Sequence, residues 1–131
     1  MVIDSHVLLW WLEAPSLLSD RAAAALRRIE TGETGFLVSS VTFWELRIKE
    51  VRGLLEPKTS VRQWPRLLGK IENLKVLDVG PDLWMRAAEL EWSHRDPADR
   101  ILASTALRHG VPMLTKDRLF HAPESPVPAV W

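Results

Sequence analysis

The feature of this sequence that most restricts its fold is the alternation of short, apolar-rich runs with longer segments that carry helix signals. A run without regular polar alternation indicates a strand buried on both faces, as in a parallel sheet. The sequence therefore predicts an α/β fold with a four- to five-stranded, mainly parallel sheet flanked by helices. Pro128 places the last strand at a sheet edge, because proline cannot donate to a central ladder. The predicted strands lie at residues 2–3, 36–38, 75–79, 111–115 and 127–130.

Capping residues in front of apolar segments predict where the helices begin. Ser19 is a predicted N-cap, and Thr42 with Glu45 forms a capping box of the S/T-x-x-E type. Asp96 suits another N-cap, and Pro97 suits the first position of the helix that follows. The predicted helices cover residues 7–13, 20–30, 42–51, 60–71, 81–91, 97–109 and 116–119.

Length and composition limit the classes of protein that this chain can belong to. Its 131 residues contain no internal repeat and no long linker, so we expect a single domain over residues 1–131. Seventeen basic and 17 acidic residues give a net charge of zero, which argues against binding nucleic acid through bulk charge but leaves a local basic patch open. The lack of cysteine excludes disulfide scaffolds, cysteine-type zinc sites and a thiol nucleophile.

The sequence also bears on location and on cofactor class. Apolar stretches such as residues 7–12 fall far short of the roughly 18 residues that suggest a membrane span. The first residues, MVIDSH, lack the regions of a signal peptide, so we expect a cytoplasmic protein without membrane association. No glycine-rich phosphate loop is present, which argues against ATP or dinucleotide chemistry. The four histidines have no paired metal-ligand spacing, so no zinc site is predicted.

Acidic residues recur where the predicted strands end. Asp4 ends the first strand, Glu45 follows the second, and Asp117 follows a later one. Asp96 and Asp99 open the helix that leads into that later strand. In open parallel sheets, ligands bind beyond the carboxyl ends of the strands. Converging carboxylates repel each other, and Mg²⁺ or Mn²⁺ relieves that repulsion because these hard ions prefer carboxylate oxygen and water. Such a site can hydrolyse a phosphodiester without a protein nucleophile.

Most of these acids also have a structural explanation. Glu45 can serve only its capping box, and Asp96 can serve only as an N-cap. Asp99 lies in a first helical turn, where the helix dipole favours an acid, and Asp117 can be an ordinary turn residue. Asp4 is different, because helix and turn preferences do not account for an acid directly after a buried strand. The coincidence of all five at one sheet edge favours the metal interpretation.

Four segments carry a resemblance to a known family: IDSHVLLWWL, SSVTFWELRIKEVRG, HRDPADRILASTA and LTKD. Together they resemble the PIN-domain ribonucleases and, more narrowly, the VapC toxins of prokaryotic toxin–antitoxin pairs. The matched residues extend from Asp4 to Asp117, so the resemblance covers nearly the whole chain. The DPADRILASTA and LTKD elements are the more specific ones.

The resemblance implies roles for individual residues. Asp4, Glu45, Asp99 and Asp117 match the family's catalytic and metal-binding acids. Asp96 is a fifth metal-ligand candidate, ranked below Asp99 because the DP dipeptide has its capping explanation. Thr115 matches a hydroxyl position before the last acid, and Lys49 is a supporting candidate beside Glu45. Separately from the resemblance, cations that lie near these acids in the sequence are candidate contacts to RNA phosphates, and salt bridges to the same acids are the alternative. They are Arg47, Arg95, Arg100, Lys116 and Arg118.

The resemblance also implies a fold, an activity and partners. The family has a three-layer fold in which a parallel sheet of four or five strands lies between helices. Its toxins are Mg²⁺- or Mn²⁺-dependent endoribonucleases that cut single-stranded or looped RNA such as tRNA or rRNA. They are usually homodimers, and a small VapB-like antitoxin neutralises them. DNA is contacted only through that antitoxin.

Two other functions compete with a ribonuclease. A receiver-like signalling module also places acids at strand ends, but it needs an acidic pair after the first strand, and Asp4 has no acidic neighbour. A non-catalytic PIN-like module acting through protein or RNA contacts remains the alternative. The strongly apolar first helix, with Trp10 and Trp11, fits a dimer or antitoxin contact, whereas Trp44 and Trp84 are expected in the core.

Overall fold

The strands occupy the predicted places along the chain but are short. The computed structural model describes residues 1–131, apart from the Glu30 side chain. The strands are β1 (Val2–Ile3), β2 (Phe36–Ser39), β3 (Leu74–Leu77), β4 (Met113–Leu114) and β5 (Ala129–Val130). The α-helices are α1 (Ser5–Glu13), α2 (Asp20–Glu30), α3 (Ser40–Val51), α4 (Trp64–Leu68), α5 (Pro81–Glu89) and α6 (Pro97–His109). Single 3₁₀ turns lie at Pro15–Leu17 and Val61–Gln63.

The described strands form one five-stranded sheet in the order β3-β2-β1-β4-β5, and every neighbouring pair is parallel. The chain moves outward from β1 through β2 to β3 and then crosses back to β4 on the other side of β1. In the central pair, Val2 is aligned with Met113 and Ile3 with Leu114. The strand order therefore reverses between β1 and β4, and a ligand site is expected beyond the carboxyl ends of these two strands.

Apolar side chains pack on both faces of the sheet. One buried cluster joins β1 and β2 to α1, α2 and α4, and it includes Leu26 and Trp64. The other joins β4 to α5 and α6, and it includes Ile101 and Phe120. Covering both faces explains why the sequences of β1 and β4 are apolar throughout, whereas the edge strand β3 carries the exposed Lys75.

Two predicted N-caps are confirmed. The Ser19 hydroxyl accepts a hydrogen bond from the amide of Ala22 at the start of α2. Asp96 Oδ1 accepts from the amides of Ala98 and Asp99, at 2.8 and 3.2 Å, at the start of α6. These side chains satisfy amide groups that have no partner within the helix.

The predicted start of α3 is wrong. The helix begins at Ser40, and its N-cap is Ser39, whose hydroxyl accepts from the amide of Val41 at 3.4 Å. Ser39 is the last residue of β2, so its extended backbone leads directly into the helix. Thr42 lies inside α3, where its Oγ1 is buried and has no hydrogen-bond partner among the described residues. Glu45 lies more than one turn into the helix, so the capping explanation for this acid does not hold.

Other boundaries differ from the prediction in length. The region 60–71 divides into a 3₁₀ turn and the short helix α4, which has Pro65 in its first turn. Residues 116–119 do not form a helix, and hydrogen-bonded turns from Asp117 to His121 replace it. The strand predicted at 75–79 begins one residue earlier and ends at Leu77, the strand predicted at 111–115 shortens to β4, and the last strand is the edge strand β5.

The expectation that Trp44 and Trp84 are core residues is wrong. Trp44 is 58% exposed and Trp84 is 49% exposed. Thr42 and Leu46 are buried, so their side of α3 faces the core. Trp44 is two residues from each of them, about 200° around the helix, so it faces outward.

None of the described helices combines the length and the apolar character that crossing a bilayer requires.

Arg100 connects α6 to the segment between α5 and α6. Its guanidinium donates hydrogen bonds to the carbonyl oxygens of five residues, at distances of 2.5–3.3 Å. A guanidinium has five N–H donors in a fixed plane, which suits several carbonyls at once. This side chain therefore fixes the path of residues 87–94. The acceptors are the carbonyls of Ala87, Ala88, Leu90, Trp92 and His94.

We expect Arg100→Lys to lower the free energy of unfolding by about 2–3 kcal/mol, because an ammonium cannot satisfy these carbonyls and leaves partly buried acceptors unpaired. Urea unfolding followed by circular dichroism measures the change. The matched control is Arg108→Lys on the same helix, an exposed side chain paired with Asp82 at 3.3 Å, with an expected loss below about 0.5 kcal/mol. Equal losses in the two variants would contradict the proposed bracing role of Arg100.

Candidate functional site

Asp4 lies where β1 ends and α1 begins, next to the end of β4. It is only 4% exposed. Its side chain makes no capping hydrogen bond to α1 among the described contacts. Instead, Asp4 Oδ2 accepts a short hydrogen bond from the Thr115 hydroxyl. A nearly buried carboxylate that is not used as a helix cap is consistent with a functional acid.

Thr115 connects two of the predicted acids. Its side chain is fully buried directly after β4. The hydroxyl gives its proton to Asp4 and accepts from the amide of Asp117 at 3.0 Å. Asp117 Oδ1 in turn accepts from the amide of Leu119 at 2.9 Å, which holds the turn after β4. One hydroxyl thus sets the position of Asp117 relative to Asp4.

His6 is a second neighbour of Asp4, from the first turn of α1. The amide of Lys116 donates to His6 Nε2 at 3.1 Å, so this nitrogen carries the lone pair. The proton of a neutral ring is then on Nδ1, which lies 3.3 Å from Asp4 Oδ2. His6 therefore places Nδ1 beside the Asp4 carboxylate, and through Nε2 it connects α1 to the turn after β4.

Asp99 lies in the first turn of α6 and meets His94 from the preceding loop. Asp99 Oδ2 is 2.5 Å from His94 Nε2. Ligand atoms of His94, Asp99 and Asp117 all lie within 4.8 Å of one another. His94 and Asp99 are only five residues apart, and the fold brings Asp117 to them from the turn after β4. A nitrogen and two carboxylate groups at this spacing form a donor set for a divalent cation.

The electrostatics of this cluster are unfavourable without a cation. The pKa of Asp99 is raised to about 6, mainly by burial, and the negative charges of Asp4 and Asp96 act in the same direction. The hydrogen bond from His94 and the charge of that ring act in the opposite direction. Carboxylates crowded in this way favour either a proton or a positive ion between them.

Glu45 faces the same region from α3. Its Oε2 accepts from the Ser5 hydroxyl at 2.6 Å, and its Oε1 lies 3.6 Å from Lys49 Nζ. Ser5 is the residue after Asp4, so Glu45 is held beside the start of α1. Lys49 forms the expected i,i+4 pair with Glu45, which is consistent with an orienting role.

The cationic candidates differ in their surroundings. The Arg100 donors are occupied by backbone carbonyls, so this geometry favours a structural role over phosphate contact. Arg47 pairs with Glu50 at 2.8 Å, and this hydrogen bond is the main cause of a lowered pKa of Glu50. Arg95, Lys116 and Arg118 are exposed close to Asp96, Asp99 and Asp117 in the sequence.

His94 is the residue that sequence reasoning missed. It has no metal-ligand spacing with another histidine, which is why no ligand role was predicted. Trp92 packs against its ring with centroids 4.8 Å apart, and the His94 carbonyl is bound by Arg100. The available signal was its place in the HRDPADR segment, two residues before Asp96.

Comparison with known proteins identifies what this chain is similar to. A model of the PIN domain matches residues 1–124. Ribonuclease VapC22 of Mycobacterium tuberculosis is 29% identical over 133 residues, covering 100% of this chain and 98% of that protein.

Solved structures of similar fold include two complexes at low sequence identity. VapBC2 of Rickettsia felis, bound to a DNA fragment from its promoter, gives a TM-score of 0.66 at 12% identity and covers 98% of this chain and 96% of its own. A toxin–antitoxin complex of Klebsiella pneumoniae gives 0.61 at 17% identity and covers 99% and 95%. At these identities the likeness concerns the fold, and it agrees with the sheet order and helical layers described above.

The raised pKa of Asp99 has a consequence for stability. A carboxyl group with a raised native pKa stabilises the protein below its unfolded pKa, and this contribution is lost as the pH rises through about 6. In metal-free buffer at pH 7.5, we expect Asp99→Asn to raise the free energy of unfolding by on the order of 2 kcal/mol. The gain should disappear below about pH 4, because the Asp99 carboxyl of the native protein is then protonated and uncharged, as asparagine is.

Thermal and urea unfolding between pH 3.5 and 8 measure this gain. The control is Asp78→Asn, at an exposed acid after β3, with an expected change below about 0.5 kcal/mol at every pH. A gain for Asp99→Asn that does not vary with pH would mean that burial of the charge is not its source.

Proposed function

The chain belongs to the PIN-domain family, and on that premise we propose that it is a VapC-like endoribonuclease, the toxin of a toxin–antitoxin pair. The observation that carries the proposal is the meeting of Asp99 and Asp117 near the carboxyl ends of β1 and β4, with Asp4 joined to Asp117 through the Thr115 hydroxyl. The named relative, Ribonuclease VapC22, covers the whole chain and supports a nuclease. The folds shared with toxin–antitoxin complexes support the pairing with an antitoxin.

The proposed cofactor is Mg²⁺ or Mn²⁺. Asp4, Asp99 and Asp117 would hold it, with Glu45 adjacent and His94 offering a nitrogen. The residues fit such an ion, because partly buried carboxylates crowd together here and burial already raises the pKa of Asp99. Asp96 remains a weaker candidate, since its Oδ1 is engaged in capping α6. When bound, the ion would supply water activation and neutralise charge that develops on the phosphate.

The surrounding side chains would position the acids for this chemistry. Thr115 sets the spacing of Asp4 and Asp117, and His6 contacts the same oxygen of Asp4 as Thr115 does. Ser5 and Lys49 hold Glu45. Catalysis of this kind depends on preorganised groups, because small displacements weaken contacts at the transition state.

We further propose single-stranded or looped RNA, such as tRNA or rRNA, as the substrate. With zero net charge, the attraction for phosphates would have to be local, and the exposed Arg95, Lys116 and Arg118 are the candidates for it. The proposed toxin is a single domain over residues 1–131 that acts in the cytoplasm as a homodimer. A VapB-like antitoxin would neutralise it and make any contact with DNA.

The nuclease proposal predicts metal-dependent cleavage that needs the central acids. We expect the purified protein to cut a labelled pool of structured RNA with Mn²⁺ or Mg²⁺ but not with EDTA. Asp4→Asn and Asp99→Asn should each reduce the rate at least about 100-fold, because each removes a charged ligand. Asp78→Asn, an exposed acid outside the cluster, should cleave at the parent rate.

If Asp4→Asn and Asp99→Asn both retain cleavage, the activity comes from a contaminating nuclease or from a different site. Absence of cleavage by the parent protein, together with absence of Mn²⁺ binding in calorimetry, would favour the alternative, a non-catalytic PIN-like binding module.

His94 gives a separate prediction about the metal. Because His94 holds Asp99 and offers a nitrogen, we expect His94→Ala to weaken Mn²⁺ binding about tenfold, as measured by calorimetry. His109→Ala, at the exposed end of α6, is the control and should bind Mn²⁺ as the parent does. Unchanged Mn²⁺ affinity in His94→Ala would assign this histidine to loop structure alone.

A further inference from the structure

Three aromatic side chains form a cluster beside α1: His6 and Trp10 of that helix, and Trp131. The ring centroids of His6 and Trp10 are 4.8 Å apart, and those of Trp10 and Trp131 are 5.6 Å apart. The His6 and Trp131 centroids are 6.3 Å apart, which closes the cluster. Lys116 Nζ lies 5.5 Å from the centre of the Trp10 ring. We refer to these three rings with Lys116 as the aromatic cluster.

The aromatic cluster is not simply part of the core. Trp11 and Trp131 are among the partly buried residues that pack against the first apolar cluster. Among the described residues, Trp10 packs against neither apolar cluster. Trp10 and Trp131 both keep partial solvent exposure. A large aromatic surface is thus held in place from one side while part of it remains accessible.

The aromatic cluster is continuous with the acidic site because the two share His6. The Nδ1 atom of this ring contacts Asp4, and its Nε2 atom accepts from the amide of Lys116. Lys116 also lies directly before Asp117 in the turn after β4. A phosphodiester placed at the acids would therefore have an adjacent base within reach of Trp10, with the Lys116 ammonium beside it.

We infer that the aromatic cluster is a stacking subsite for one unpaired base of the RNA, next to the phosphodiester that is cut. The inference rests on the proposed function and specifies how the substrate is held. Unpaired bases stack on aromatic side chains, and the preference is tolerant of sequence because every base has a π face. Bases inside a duplex are already stacked on each other, so the subsite selects single-stranded or looped RNA.

Two features favour RNA over a protein segment as the occupant of this surface. The cation over Trp10 suits a phosphate-bearing ligand, and a cation also contributes to aromatic stacking sites for single strands. The surface also adjoins the carboxylates at which the proposed RNA cleavage occurs. An antitoxin helix on the same surface is the competing outcome of the experiment.

The test measures RNA binding without cleavage. Every protein in this test carries Asp99→Asn, and the protein with no other substitution is the parent here. The buffer contains EDTA. The probe is a fluorescein-labelled single-stranded RNA of mixed sequence, and its binding is read by anisotropy. We expect Trp10→Leu to weaken binding about tenfold and Trp10→Phe to weaken it much less, because phenylalanine keeps a stacking face. The matched control is Trp84→Leu, which removes an exposed tryptophan elsewhere and should bind RNA as the parent does.

A second arm tests stacking rather than general contact. Replacing single nucleotides of the probe with abasic ones should weaken binding to the parent at one position. The same abasic probe should cause no further loss with Trp10→Leu, because the stacking partner is already absent. Circular dichroism and thermal melting of each variant establish that it is folded, and Trp10→Phe tests the inference if the leucine variant does not fold.

The outcomes separate this inference from the proposed function. Parent-like RNA affinity in both Trp10→Leu and Trp131→Leu overturns the inference, even if the protein is a metal-dependent nuclease. Parent-like RNA affinity combined with a lost antitoxin complex assigns the surface to the protein partner. A parent protein that binds neither single-stranded nor structured RNA overturns the inference together with the proposed function.

Discussion

The hydrogen bond from the Thr115 hydroxyl to Asp4 is the interaction on which the site depends, because it joins the ends of the two central strands. It is possible only because the chain crosses back after β3 and places β4 beside β1. The same hydroxyl accepts from the amide of Asp117, so a residue more than 100 positions away is held at a fixed place relative to Asp4. An acid at this junction cannot relax into solvent, and its charge must be met within the protein or by a bound ion.

Around that junction, several polar side chains make contacts that hold the site together. Arg100 binds backbone carbonyls from the end of α5 to His94, and His94 in turn contacts Asp99. His6 contacts both Asp4 and the turn after β4. These contacts hold negatively charged groups together against their mutual repulsion, which is the arrangement that a cation-binding site requires. The aromatic cluster extends the same rigid framework outward, where a flexible single strand would meet it.

Sequence reasoning succeeded where the signal was local or where burial was uniform. β2 was predicted because a strand covered on both faces is apolar along its whole length, and Ser19 and Asp96 were predicted because a cap acts on amides two or three residues away. It failed at α3, where two hydroxyl residues competed for the cap and the strand ending at Ser39 decided the outcome. It failed for Trp44 because hydrophobicity alone does not say which face of a helix points inward.

The sequence by itself determined the α/β alternation and the presence of acids after the strands, through apolar runs and capping residues that act over a few positions. It also carried the motifs through which the family resemblance was found. Tertiary structure alone decided which acids meet, that Glu45 contacts Ser5 rather than capping a helix, and that His94 joins Asp99 and Asp117. It also decided that Trp10 and Trp131 share one surface. The physical reason is that these contacts join residues far apart in the chain, so they depend on the strand order and on the crossover from β3 to β4.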